Sequence, residues 1–332
     1  MNSRIYSLIK FLVLLSLSAG MLYWAFKGQD LSFIIHQLKN TRYQWLAASV
    51  FTCLLAHVVR ALRWGLLIQP LGFTVSLKNS FSAVMIAYLA NLAIPRMGEV
   101  SRCAVLNRTD KVPVNQLLGT VLTERFFDLL FLLAITGLSL ILSFSRIAEF
   151  IYQNIWLKTK STLLEVDLLG WPLVLLFSLF LLMYALKKTM QKWMKPVLNA
   201  WNGFKNGLLS FRKMPSKATF LILSALMWFL YFLSTYLCFF ALAATSNLGL
   251  LAALAALVFG SLGMIVPVQG GIGAFHWMVA EGLTLYALPK ADGLAFATLI
   301  HSSQILVILV IGSVCLLPVL LTKHPNEQSK PL

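Results

Sequence analysis

The chain has 332 residues, is 59% hydrophobic and only 11% charged, and has a mean hydropathy of +0.81. Soluble domains carry about a quarter charged residues, so this composition excludes a soluble globular protein and indicates an all-α polytopic membrane protein. The formal net charge of +16, from 27 Lys+Arg against 11 Asp+Glu, gathers in loops between apolar runs, as the positive-inside bias dictates. That leaves anionic membrane lipids as the electrostatic partner and argues against nucleic acid.

About six spanning helices are expected, at 5–26, 44–68, 114–143, 168–187, 219–243 and 293–320, each reaching the roughly 20 residues that a crossing needs. The first has Arg4 and Lys10 before FLVLLSLSAGMLYWAF, the charge flank of a signal peptide. It lacks a small-x-small cleavage site and reads as an uncleaved helix. The second carries His57, Arg60 and Arg63 at steps of three, with Trp64 beside them. Such a stripe either snorkels to the headgroups or forms a phosphate-binding wall, because the guanidinium fork fits phosphate oxygens.

Region 77–112 is apolar but broken at Ile94-Pro95-Arg96-Met97-Gly98-Glu99. Pro95 and Gly98 break helix, and irregular backbone at membrane depth survives only when buried in protein or lining a wet cavity. Arg96, Glu99 and Arg102, spaced i, i+3, i+6, share a face if helix resumes after Pro95; the alternative is an interfacial loop. The next span holds TERFFD, with Glu124 and Asp128 at i, i+4 and Arg125 between them. Carboxylates there must pair, protonate or face water, and Arg60, Arg63 or Arg102 would satisfy them. A purely structural ion-pair network is the competing reading.

Eight basic residues mark 187–217 as a cytoplasmic loop, and WMKPVLNAWNGFKNGLLSF within it reads as an interfacial helix. Region 247–289 is broken at Pro267 and the Gly270, Gly271, Gly273 run. Its free N–H groups, with a helix starting near Ala274, suit an anion; it lacks the Gly-Lys-Ser/Thr ending of a nucleotide loop. His276 and Glu281 lie five apart and do not pair as base and acid. His301, beside Ser302, Ser303 and Gln304, reads as a helix-packing hydrogen-bond cluster. The four cysteines are dispersed and read as small buried hydrophobes, with no disulfide framework, metal site or cofactor suggested.

The two broken regions read as re-entrant hairpins, and both termini fall on the cytoplasmic side. One membrane domain, 1–332, divides into halves at 5–143 and 168–320. Pro95 and Gly98 match Pro267 and Gly270 at a constant offset of 172. Three crossings per half make the halves inverted, the layout of a transporter with a midplane site.

RALRW at 60–64, NLAIPRMGEVSR at 91–102, TERFFD at 123–128 and VPVQGGIGAF at 266–275 together resemble the flippase-like membrane family. That family shares the transmembrane region of bacterial lysylphosphatidylglycerol synthases, and the likeness runs over roughly 5–320. It implies a stand-alone lipid translocator in the cytoplasmic (inner) membrane, without the synthase domain and not an enzyme. It also implies that Arg60, Arg63, Pro95, Gly98, Glu99, Arg102, Glu124, Arg125, Asp128 and the Gly270–Gly273 turn line a central cavity. On this expectation Arg60, Arg63 and Arg102, with Arg96 and Arg125, hold an anionic or phosphate-bearing (glyco)lipid, Glu99, Glu124 and Asp128 in the same site orient the arginines and discriminate by charge, and Pro95, Gly98, Pro267, Gly270, Gly271 and Gly273 form the gates. The alternatives are a scaffold that delivers lipid to a separate lipid-modifying enzyme or glycosyltransferase, and an intramembrane enzyme using Glu124 or Asp128 as a base.

Overall fold

The computed structural model describes residues 3–151 and 214–321. The spanning helix expected at 168–187, the basic loop and its interfacial helix lie outside the described residues. Within them all regular structure is helical: α1 (Ser3–Phe26), α2 (Leu31–Lys39), α3 (Tyr43–Ile68), α4 (Leu77–Ala93), α5 (Gly98–Asp110), α6 (Val114–Leu142), α7 (Phe144–Ile151), α8 (Lys217–Phe239), α9 (Leu250–Ile265), α10 (Ala274–Thr284) and α11 (Lys290–Leu321), with 3-10 turns at Gln69–Leu71 and Gln269–Gly271. Four helices, Tyr43–Leu71, Val114–Leu142, Lys217–Phe239 and Lys290–Leu321, are long and apolar enough to cross a bilayer. The chain is a multi-pass membrane protein.

Local chemistry places the ends. Asp30 caps α2 by accepting from Ser32 N at 2.9 Å and Phe33 N at 3.2 Å, and the Ser32 hydroxyl holds its carboxyl below the usual carboxylate range. Ser76 caps α4 through Asn79 N at 3.2 Å. Gly72, at φ 85°, and Lys111, at φ 60°, supply the left-handed residues that end the turns after α3 and α5.

Both broken regions form helical hairpins. α4 and α5 have 17 and 13 residues, and α9 and α10 have 16 and 11. At about 1.5 Å per residue, every leg falls short of a hydrocarbon core about 30 Å thick. Close packing of the legs depends on glycine. A Cβ on Gly98 would sit 2.4 Å from the Ala87 carbonyl, and one on Gly263 would sit 2.8 Å from Phe275 Cα.

The two hairpin tips meet. Gln269 donates through Nε2 to the Ala93 carbonyl at 3.2 Å, and Arg96 donates to the Ile265 carbonyl at 3.4 Å. Gly270 abuts Leu92, where a Cβ would come within 2.7 Å of its side chain. From the other side α1 clamps the second tip: Ser18 Oγ accepts from Gln269 N at 3.0 Å, and Gly273 lies against Met21 and Leu22.

Elements repeat at the offset seen in the sequence. Moved by 172 residues, α3 becomes 215–240, α4 becomes 249–265, α5 becomes 270–282 and α6 becomes 286–314; the observed helices are α8 at 217–239, α9 at 250–265, α10 at 274–284 and α11 at 290–321. Packing follows the same exchange, since α4 lies on α11 while α9 lies on α6, and α3 packs on α8. α3 and α8 run antiparallel: Ser49 and Ser234 each donate a hydroxyl to the other's carbonyl, at 2.8 and 2.9 Å, whereas Arg63 reaches back to Ser224.

Candidate functional site

The centre of the site is Glu124, ten residues into α6 and so about 15 Å from its start. Its carboxylate is fully buried and collects three guanidinium groups. Arg60 donates through Nε to Oε1 at 2.8 Å, Arg63 through Nη2 to Oε1 at 3.1 Å, and Arg102 through Nη1 to Oε2 at 2.7 Å. Asp128, one turn on, pairs with Arg63 at 2.7 Å and Arg60 at 3.6 Å. The i, i+4 spacing thus aims both carboxylates at the α3 stripe.

Neighbouring side chains fix the arginines. Arg60 donates to the Tyr88 hydroxyl at 2.6 Å and Arg63 to Ser224 Oγ at 3.2 Å. Arg102 lies over the Trp64 ring at 4.6 Å, and Trp64 in turn donates to Thr120 at 2.9 Å. His57 packs against Tyr88 with ring centroids 4.7 Å apart and the planes inclined at 45°. Arg60 and Arg63 are 7% and 0% exposed, so the snorkelling reading of the α3 stripe does not describe them.

A cavity of about 620 Å³ lies beside this network and between the hairpin tips. Its walls include Arg60, Tyr88, Asn91, Pro95, Arg96, Glu99, Arg125, Asp128, Trp228, Tyr231, Pro267, Gly270, Gly271, His301 and Gln304. Arg63, Arg102 and Glu124 are not in the wall. They stand behind it, with both arginines spent on carboxylates, so a direct hold on a ligand by Arg63 or Arg102 is not what this geometry offers.

Arg96, Glu99 and Arg102 do not share a face. Helix resumes only at Gly98, and Arg96 stays outside it at φ 63°, a left-handed conformation that costs a non-glycine residue about 1–2 kcal/mol. Glu99 pairs with Arg125 at 2.9 Å at the cavity wall, while Arg102 turns inward to Glu124. Arg96 is exposed and forms no ion pair among the described residues.

Of the gate residues, Gly98 donates its N–H to Asn91 Oδ1 at 2.7 Å. Gly270, Gly271 and Gly273 all have positive φ, as the turn at Gln269–Gly271 requires. Gly273 N–H donates to His276 Nδ1 at 3.2 Å, and His301 Nε2 bonds the Gly270 carbonyl at 2.9 Å. His301 therefore serves the glycine turn and not its own neighbours in the helix. Glu281 bonds Trp277 and Lys290, away from His276. Among the described residues no three His, Cys, Asp or Glu side chains converge as metal ligands.

Sequence reasoning passed over Tyr88, Asn91, Ser224, Thr120, Trp228 and Tyr231. Isolated polar or aromatic residues in apolar helices carry little signal. The one available clue was Asn91, seven residues before Gly98 in the broken segment.

A helical, multi-pass membrane protein with a buried ion network beside a cavity at two hairpin tips is the class that fold and site define. The chain belongs to the family described as the lysylphosphatidylglycerol synthase TM region, whose model matches residues 7–312. It is also similar to a UPF0104 membrane protein of Methanocaldococcus jannaschii, 28% identical over 163 residues, which are 47% of this chain and 46% of the relative. The match therefore spans less than half the length of that relative. No solved structure matches the chain.

Proposed function

We propose that this protein moves an anionic, phosphate-bearing lipid between the leaflets of the cytoplasmic membrane, with the headgroup in the cavity between the hairpin tips. The observation that carries the reading is the charge balance at the site. Five arginines (60, 63, 96, 102 and 125) face three carboxylates (99, 124 and 128), an excess of two positive charges. Arg96, with no carboxylate of its own among the described residues, lines the same cavity as Arg60 and Arg125. An anion entering there supplies the missing charge, and guanidinium groups match phosphate oxygens in pairs.

One further observation favours a lipid over a water-soluble anion. The cavity wall includes the apolar side chains of Leu129 on α6 and Met264 and Ile265 on α9, each 50–52% exposed. A headgroup can meet the charged wall while its acyl chains lie against these apolar side chains. The volume, about 620 Å³, is in the usual range for a small-molecule site, roughly 300–1,000 Å³.

Arg63 and Arg102 hold Glu124 in place, so that Arg60 is presented to the cavity with its charge only partly offset. Glu124 and Asp128 are each engaged by arginines, which weighs against the enzyme reading in which one of them acts as a free base. The positive-inside pattern supports cytoplasmic termini.

Fluorescent phosphatidylglycerol in proteoliposomes, scored by its loss from one leaflet to a membrane-impermeant quencher, tests this. Arg96→Gln removes a charge that has no structural ion pair. It should slow movement at least about tenfold and leave the melting temperature unchanged. Wild-type movement in a folded Arg96→Gln protein would overturn the assignment.

A further inference from the structure

The glycine turn of the second hairpin is held by two histidines that the lipid reading does not use. Gly273 N–H donates to His276 Nδ1, so that nitrogen carries no proton. The Gly270 carbonyl can only accept, so His301 donates from Nε2, and in the neutral ring Nδ1 is the bare nitrogen. That Nδ1 is buried with no hydrogen-bond partner. The rings are 6% and 3% exposed, with centroids 5.0 Å apart.

His276 must therefore be neutral while the turn is in place, and a charged His301 would hold a buried N–H with no acceptor. A second proton on His276 would occupy Nδ1 and evict the Gly273 N–H from the start of α10. A second proton on His301 would sit on a nitrogen that faces no acceptor. Two imidazolium rings at 5.0 Å would also repel each other.

No neighbouring charge compensates. Phe26 of α1 faces His276, and Phe275 lies 4.7 Å from His301. α9 has no ionisable side chain. On α10 Glu281 is bonded to Trp277 and Lys290; on α11 Asp292 and Lys290 sit in the first turn, about nine residues before His301. Tyr88 of α4 bonds Arg60, Glu99 and Arg102 of α5 are paired with Arg125 and Glu124, and His36 and Lys39 of α2 are exposed. From α3 and α8, His57 and Tyr231 lie against each other. Among the described residues, the titratable partner of each histidine is the other.

We propose that His276 and His301 are a proton-binding site that latches the second hairpin. With both rings neutral the turn is closed on the first hairpin and on α1. Protonation of His276 withdraws its bond to the Gly273 N–H, a charge on His301 would bury an Nδ1–H without an acceptor 5.0 Å from the other ring, and the tips part. The ligand is the proton, and the site gives a transporter without a nucleotide motif a means of coupling to a proton gradient. That coupling to lipid rests on the function proposed above; the latch itself does not.

The sign follows from the closed state binding fewer protons than the open one. Lowering pH favours the open state once it falls below the ordinary histidine pKa, about 6.5. Each pH unit below that shifts the open-to-closed ratio by up to about tenfold per histidine.

The test uses full-length protein with its four cysteines replaced and spin labels at Met97→Cys and Met264→Cys, in nanodiscs of zwitterionic lipid. Pulsed spin–spin distances are measured at pH 8 and pH 5. A longer distance at pH 5 is expected, and it should vanish in the His276→Asn/His301→Gln double variant, whose amides keep the two bonds but cannot titrate. A wild-type distance that ignores pH overturns the latch, as does a double variant that responds like wild type. Because no substrate lipid is present, loss of lipid movement with an intact pH response would count against the lipid function and not against the latch.

Discussion

At the scale of single residues, the clearest feature is Glu124, a fully buried carboxylate shared by three arginines. Removing one partner of a buried ion pair costs about 3–5 kcal/mol, because the remaining charges lose their compensation. Glu124→Gln keeps the shape and removes the charge, so it should lower the thermal midpoint in detergent sharply. Arg96→Gln, at an exposed residue without an ion pair, should leave it unchanged. Equal midpoints for Glu124→Gln and wild type would mean that the three arginines find other partners. This network was legible early because charges inside apolar helices are costly and must be answered. Which arginine faces the cavity was not, since it depends on whether the helix restarts at Pro95 or at Gly98. Ser224 and Thr120 stayed hidden for a different reason: a short hydroxyl in a helix can bond its own backbone, as both do, and need signal nothing.

At the scale of elements, the hairpins depend on backbones coming close where glycine stands. Gly263 has the backbone of Ala274 and Phe275 within 3.0 Å of an absent Cβ, whereas a Cβ on Gly137, inside α6, would meet nothing within 4 Å. Gly263→Ala must push α9 from α10, and overpacking of that kind costs about 1–3 kcal/mol. Gly137→Ala only gains helix propensity, up to about 1 kcal/mol. The two variants should therefore move the thermal midpoint in opposite directions; a destabilised Gly137→Ala would mean that α6 has a close neighbour at that face. Pro95, Gly98, Pro267 and Gly270 announced both breaks, since proline and glycine interrupt helix by covalent structure alone. That the breaks meet each other could not be read, because Gln269 and Ala93 are joined only by the packing of the whole bundle.

At the scale of the molecule, the halves correspond in their helices but not in their charges. The positions 172 residues after Arg60, Arg63, Arg102, Glu124 and Asp128 hold Phe232, Thr235, Ala274, Phe296 and Ile300. One half carries the ion network; the other presents apolar walls and a histidine-held turn. If the tips are the barrier between the two sides, tying them together must stop lipid movement without touching the arginines. A Cβ at Gly270 lies 3.9 Å from Leu92 Cα, within reach of disulfide geometry, whose Cα···Cα span is about 4.4–6.8 Å. Cysteine at Gly270 must adopt φ 57°, a strain of about 1–2 kcal/mol, so the reduced double variant should still fold. In a background without native cysteines, oxidised Leu92→Cys/Gly270→Cys should cease to move lipid and recover with reductant, while each single variant ignores both treatments. Lipid movement that continues at the reduced rate in fully cross-linked protein would place the barrier elsewhere, and the cavity between the tips would then be a binding site without being the route.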